Sequence, residues 1–129
     1  MEEVKDLSCP FCSISEGRII TEYFSVVAIR DGFPVSKGHT LIIPKRHTRD
    51  FFTMTQNEKL DALELIGRVC SELQAKDRTI VGFNIGMNCG EAAGQSVMHA
   101  HIHIIPRREG DTPKPKGGVR GVIPGKMGY

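Results

Sequence analysis

The stretch Gly94-Gln95-Ser96-Val97-Met98-His99-Ala100-His101-Ile102-His103-Ile104-Ile105-Pro106 decides the fold. Its histidines alternate with apolar residues, the two-residue period of a β-strand. His99, His101 and His103 therefore point to one face, and Ala100, Ile102 and Ile104 to the other. One face is left for chemistry while the other enters a core. Adjacent imidazoles on such a strand stand roughly 6 to 7 Å apart, two strand rises. At that separation one ring can attack a phosphorus while its neighbour donates to the attached oxygens. Three of the chain's five histidines lie on this one face. Packing them there for stability alone sacrifices apolar burial and invites repulsion on protonation. Zinc is the rival use, since histidines at i, i+2 and i+4 of a strand can ligate it. The Gly94-Gln95-Ser96 turn just upstream favours an anionic oxygen, because it offers amide and hydroxyl donors.

Upstream of this strand, Thr79–Ile85 reads as another strand, joined to it by a Gly-rich loop from Gly86 to Gly94. Thr55-Gln56-Asn57-Glu58 is a capping box, and Leu60, Leu63, Leu65, Ile66, Val69, Cys70 and Leu73 recur behind it near helical spacing. That predicts one long amphipathic helix, its Leu/Ile stripe packed beneath the histidine strand. Further upstream, Arg18–Glu22, Tyr23–Ile29 and His39–Pro44 are rich in β-branched and aromatic residues. The Asp31-Gly32-Phe33-Pro34 turn separates the last two. Short turns and one central helix predict an α+β domain on an antiparallel sheet of about five strands.

A length of 129 residues allows one core, assigned to residues 1–109, followed by a Gly/Pro-rich tail, 110–129, with no regular structure expected. A net charge of +2 does not point to nucleic acid, and a small anion is the better partner. The opening Met1–Asp6 is acidic without an apolar leader, and no stretch is long enough to span a bilayer. A soluble, cytoplasmic protein is expected, with no membrane partner and with its four cysteines as thiols or metal ligands rather than disulfides. Cys9-Pro10-Phe11-Cys12 has the spacing of a zinc half-site, and equally of a redox dithiol or a simple turn. Cys70 falls on the helix's apolar stripe, and Cys89 in the loop before Gln95.

Together these residues resemble the histidine triad (HIT) nucleotide hydrolases and transferases, in their compact bacterial-type form with an N-terminal CxxC. The histidine strand, Asp31, the Gly38–His47 block, Asn88 and Gly94-Gln95-Ser96 carry the likeness. The resemblance implies a short N-terminal helix, a homodimer with a continuous sheet, and a purine-nucleotide substrate cleaved at its α-phosphate. It also implies that His101 is the nucleophile, that His103 and His39 contact phosphate oxygens, and that Gln95 and Ser96 are donors, Ser96 to the leaving group. Asp31 is then the ribose carboxylate, Asn88 lines the pocket, and Ile29, Phe33 and Ile43 sandwich the base. Read alone, Asp31 and Asn88 serve as well for turns, and the apolar residues for core.

By the same resemblance Cys9, Cys12, His47 and His99 form a closed, structural zinc site, and no catalytic cofactor is needed. The basic tail, with Lys114, Lys116, Arg120 and Lys126, either reaches a partner's pocket or is solvated without a role. The expected activity is hydrolysis of dinucleoside polyphosphates or related adenosine nucleotides through a nucleotidyl-His101 intermediate. A phosphoramidase, a phosphorylase and a non-enzymatic nucleotide-binding module are the alternatives.

Overall fold

In the computed structural model residues 6–129 are described, and the acidic opening, residues 1–5, lies outside them. Among the described residues five strands form one antiparallel sheet: β1 (Ile19–Tyr23), β2 (Val26–Arg30), β3 (Thr40–Pro44), β4 (Gly82–Gly86) and β5 (Ile102–Arg107). Their order is β1-β2-β3-β5-β4. Helix α1 (Gln56–Lys76) packs on one side, and no helix among the described residues is long and apolar enough to cross a membrane.

The capping box forms as the sequence predicts. The Thr55 side chain accepts from Glu58 N–H, and the Glu58 carboxylate accepts from Thr55 N–H. The buried stripe of α1 is Ala62, Leu65, Val69 and Leu73, at i, i+3, i+7 and i+11. Leu60 and Leu63, expected in that stripe, face outward at 52% and 68% exposure. They sit on the opposite side of the helical wheel, so their apolarity alone misassigned them. The stripe packs with Val26, Ala28, Ile42, Ala100 and Ile104 in the main core, so the alternation read from the histidine run holds.

The opposite face of the sheet carries a smaller cluster, Val27, Ile29, Leu41 and Ile43, covered by Phe11, Ile14 and Ile19 from the N-terminal segment. Covering on both faces is why β2 and β3 are buried almost end to end. The expected short N-terminal helix is a single 3-10 turn, Glu16–Arg18.

Strand β5 begins only at Ile102, so His99 and His101 lie in the segment leading into it and only His103 is within the ladder. The reason is its neighbour. Strand β3 ends at Pro44, which has no N–H to continue the pairing. Residues 99–101 are held instead by Ala100 N–H to Thr48 O at 2.7 Å and His99 Nε2 to Pro44 O at 2.8 Å. Strand β4 begins at Gly82 rather than Thr79, because Asp77 accepts from Thr79 N–H and Oγ1 and holds a turn there, while Val81 N–H already donates to Arg107 O on β5.

The tail is not wholly irregular. Gly118–Val122 form a 3-10 turn entered through Gly117 and Gly118, whose φ values of 95° and 37° suit glycine. Arg107 anchors its root, donating twice to Asp111 and once to Asn84 on β4.

Candidate active site and metal centre

The register of β3 on β5 builds the site. Leu41 lies opposite His103, and His39, two residues before Leu41, shares that face, so the His39 and His103 rings meet diagonally across the pair. Their nitrogens, His39 Nε2 and His103 Nδ1, are 2.9 Å apart.

The neighbouring backbone groups fix which nitrogen carries each proton. Val35 N–H donates to His39 Nδ1 at 3.2 Å, so the proton of the neutral ring is on Nε2 and is donated to His103 Nδ1. His103 is thereby an acceptor at Nδ1 and keeps its Nε2–H as a donor for a ligand. His101 Nδ1 lies 2.8 Å from the carbonyl of His99, which can only accept. Its Nε2 therefore carries a lone pair. The His101 and His103 rings stand 5.3 Å apart, closer than ideal strand geometry suggests because His101 precedes the ladder. A nucleophilic nitrogen and a hydrogen-bond donor thus sit side by side, the pairing that attack on a phosphorus requires.

Burial disfavours the charged forms of His39 and His103. Desolvation pushes His39 below the ordinary imidazole pKa against the pull of the Asp31 carboxylate. His103 is lowered first by burial and then by the neighbouring His101 and His39. Asp31 works at both ends: Oδ1 accepts from Phe33 N–H at 2.8 Å, closing the turn, while Oδ2 lies 3.4 Å from His39 Nε2 and 3.9 Å from His103 Nδ1. Asp31, His39 and His103 have a spacing that could hold a metal. The bond from Val35 opposes that use, since ligation at His39 Nε2 would turn an Nδ1–H against another N–H.

Cys9, Cys12, His47 and His99 also converge, with their donor atoms all within 4.8 Å of one another. Cys12 Sγ is 3.0 Å from His47 Nδ1 and 3.6 Å from His99 Nδ1, and Cys9 Sγ is 3.4 Å from His99 Nδ1. Tetrahedral zinc with ordinary Zn–S and Zn–N lengths separates such atoms by about 3.5 Å, so this donor set fits. The carbonyl of Pro44 holds the His99 proton on Nε2 and leaves Nδ1 free for a metal. All four cysteines are free thiols.

Other expected residues are placed differently. Ile29 and Ile43 have no exposed surface and form the floor of the smaller cluster, so they cannot sandwich a base. Phe33, at 92% exposure, can contact one. Gln95, expected to donate to phosphate, is buried; its amide N–H groups go to the carbonyls of Arg49 and Val97, and its oxygen accepts from Gly90 N–H. It braces the loop that presents the exposed Ser96. Asn88 borders a cavity of about 940 Å³ whose wall includes His39, His103, Met87 and Ile105, while Asp31 borders a second one of about 800 Å³ beyond His39.

Phe11 escaped the sequence reading. Its ring lies 5.1 Å from that of His101 and 6.0 Å from that of His99. The signal available was its place inside the Cys9–Cys12 turn.

A family profile for the HIT domain matches residues 14–110. The chain is similar to an uncharacterized HIT-like protein of Mycoplasma genitalium, 40% identical over 113 residues that make up 84% of this chain and 79% of that one. An adenylylsulfatase of Arabidopsis thaliana is 36% identical over 113 residues, 80% of this chain and 54% of that protein. Among solved structures, a Zn-bound histidine triad family protein from Mycobacterium smegmatis superposes with a TM-score of 0.76 at 35% identity, covering 84% of this chain and 81% of that one.

Proposed function

This chain belongs to the HIT family, and we propose that it is a nucleotidyl hydrolase acting at the α-phosphorus of dinucleoside polyphosphates or related adenosine nucleotides. The observation that carries this reading is the proton arrangement around His101, an Nε2 lone pair beside the Nε2–H of His103. His101 Nε2 forms a P–N bond as the bond from phosphorus to the leaving group breaks. The leaving group departs with the electron pair and takes a proton from the Ser96 hydroxyl. Water then attacks the same phosphorus, the P–N electrons return to Nε2, and one water proton restores Ser96. The products are a nucleoside monophosphate and the protonated leaving group. His103 donates to the phosphate oxygens and His39 keeps it in the donating tautomer.

The second Asp31 oxygen is the ribose contact, and Phe33 with the partly exposed Phe11 and Ile14 supplies the base surface. Asn88 borders the same cavity as His39 and His103, the proposed phosphate contacts. The Arabidopsis relative, by name an adenylylsulfatase, supports an adenylyl group as the transferred unit. Cys9, Cys12, His47 and His99 would hold zinc; with these four ligands it would tie the N-terminal turn to the catalytic segment. The edge strand β4 and the outward Leu60 and Leu63 suit a homodimer with a continuous sheet.

The test is turnover of diadenosine tetraphosphate and of an adenosine phosphoramidate in labelled water, with and without inorganic phosphate. Adenosine monophosphate carrying one labelled oxygen supports the hydrolase. Faster loss of the phosphoramidate assigns a phosphoramidase, and dependence on phosphate a phosphorylase. No turnover with nucleotide still bound assigns a binding module.

A further inference from the structure

We propose that Phe11 is a positioning residue for His101, through which the metal-binding turn sets the orientation of the nucleophile. The activity part of this proposal rests on the nucleotidyl hydrolase reading above.

A single hydrogen bond, Nδ1–H to the carbonyl of His99 at 2.8 Å, fixes the tautomer of His101 but leaves the ring free to twist about it. Two neighbouring rings limit that freedom. The His103 centroid is 5.3 Å away with its plane inclined at 62°, and that of Phe11 is 5.1 Å away at 61°. His103 is itself held by His39. Phe11 is held by its packing on Val27, Ile29, Leu41 and Ile43, and by its two buried neighbours Cys9 and Cys12, whose sulfurs gather on His47 and His99.

His99 belongs to both ends of this arrangement. Its Nδ1 faces the cysteines, and its carbonyl accepts the proton of His101. The metal turn therefore reaches the nucleophile by two short routes, the backbone of His99 and the ring of Phe11. Neither route passes through the residues proposed to grip the ribose or the phosphate oxygens. Phe11 also offers surface to the base, so its loss acts on KM as well, but a misaimed nucleophile costs rate steeply and should lower kcat separately from binding.

The experiment uses full-length protein loaded with zinc, as wild type and as Phe11→Ala, Phe11→Leu and Phe11→Tyr. Three quantities are read: bound zinc, the nitrogen signature of the His101 ring in the nucleotide-free protein at fixed pH, and kcat and KM separately. The expected result for Phe11→Ala is retained zinc, a broadened or split His101 ring signature with the Nδ1–H tautomer kept, and a kcat lower by about tenfold or more, beyond any change in KM. Phe11→Tyr should restore the signature and the rate, and chelating zinc from wild type should reproduce the Phe11→Ala signature. An unchanged His101 signature, or a rise in KM alone, overturns the proposal and leaves Phe11 as base-contact surface only. If Phe11→Ala sheds zinc, Leu and Tyr decide: a slow Leu variant beside a normal Tyr supports the proposal, and two normal rates overturn it. Absence of turnover in wild type would sink the hydrolase reading, while the ring signature would still decide the role of Phe11.

Discussion

Val35 N–H donates to His39 Nδ1, and this one backbone bond sets the proton position of a ring pair on the far side of the imidazole. With Nδ1 occupied as an acceptor, His39 must donate from Nε2, and His103 must accept at Nδ1 and present Nε2–H outward. A residue proposed to touch phosphate is thus also the device that makes its neighbour a donor.

His39→Gln keeps a donor near His103 but loses the fixed ring geometry. Turnover should drop by roughly tenfold to a hundredfold, with the fold intact by circular dichroism. His39→Ala should drop it further, since His103 is then free to adopt the other tautomer. Equal rates for wild type and His39→Ala would show that His103 is oriented by something else.

Burial lowers the pKa of both His39 and His103. Each ring is harder to protonate in the folded protein than in the unfolded chain, which therefore binds more protons between the two pKa values. Stability should be level above about pH 6.5 and fall as pH drops below it. The part of the acid limb of kcat/KM that reports His39 and His103 should likewise lie below about 6.5. Denaturant titrations and rate profiles between pH 4.5 and pH 8, on the order of a half-unit apart, test both.

Removing the metal should loosen the N-terminal turn without unfolding the sheet, because the main core around Leu65, Val69 and Ile104 does not include Cys9 or Cys12. Chelation, or Cys12→Ser, should lower the melting temperature by roughly 10 °C and release one zinc per chain by elemental analysis. A melting curve indifferent to chelator would count against a metal at these four residues.

Glu58 is buried, caps α1 and binds Arg46 through both carboxylate oxygens, at 2.8 and 3.1 Å. Arg46 adjoins His47, so the same pair ties the helix start to the metal centre. Glu58→Ala should cost about 2 kcal/mol, less than a fully buried pair because the Arg46 side chain is 38% exposed. Chemical denaturation gives the value, and zinc affinity should fall with it.

The alternation around His101 was readable because a half-buried strand declares its faces in the residues themselves, and Ala100 and Ile104 entered the core as that pattern required. The helix start was equally legible, since Thr55 and Glu58 act on each other locally. What the chain did not declare depends on contacts made across the fold. Leu60 and Leu63 are as apolar as Leu65 yet face outward, because the position of the sheet chooses the stripe. Ile29 and Ile43 look like any pocket-lining pair, and only the cover of Phe11, Ile14 and Ile19 makes them floor. Gln95 reads as a phosphate donor until the carbonyls of Arg49 and Val97 are seen to claim its amide. The tautomers of His39, His101 and His103 are set by backbone groups of Val35 and His99, which carry no residue-specific signal at all.

The most direct test of the account is rapid-quench mass spectrometry of the zinc-loaded protein mixed with diadenosine tetraphosphate, beside His101→Ala. The account predicts a transient adenylyl mass on the wild-type peptide containing His101, decaying as adenosine monophosphate appears, and neither adduct nor product from the variant. Turnover that persists in His101→Ala, or that proceeds in wild type with no adduct at any quench time, would contradict it.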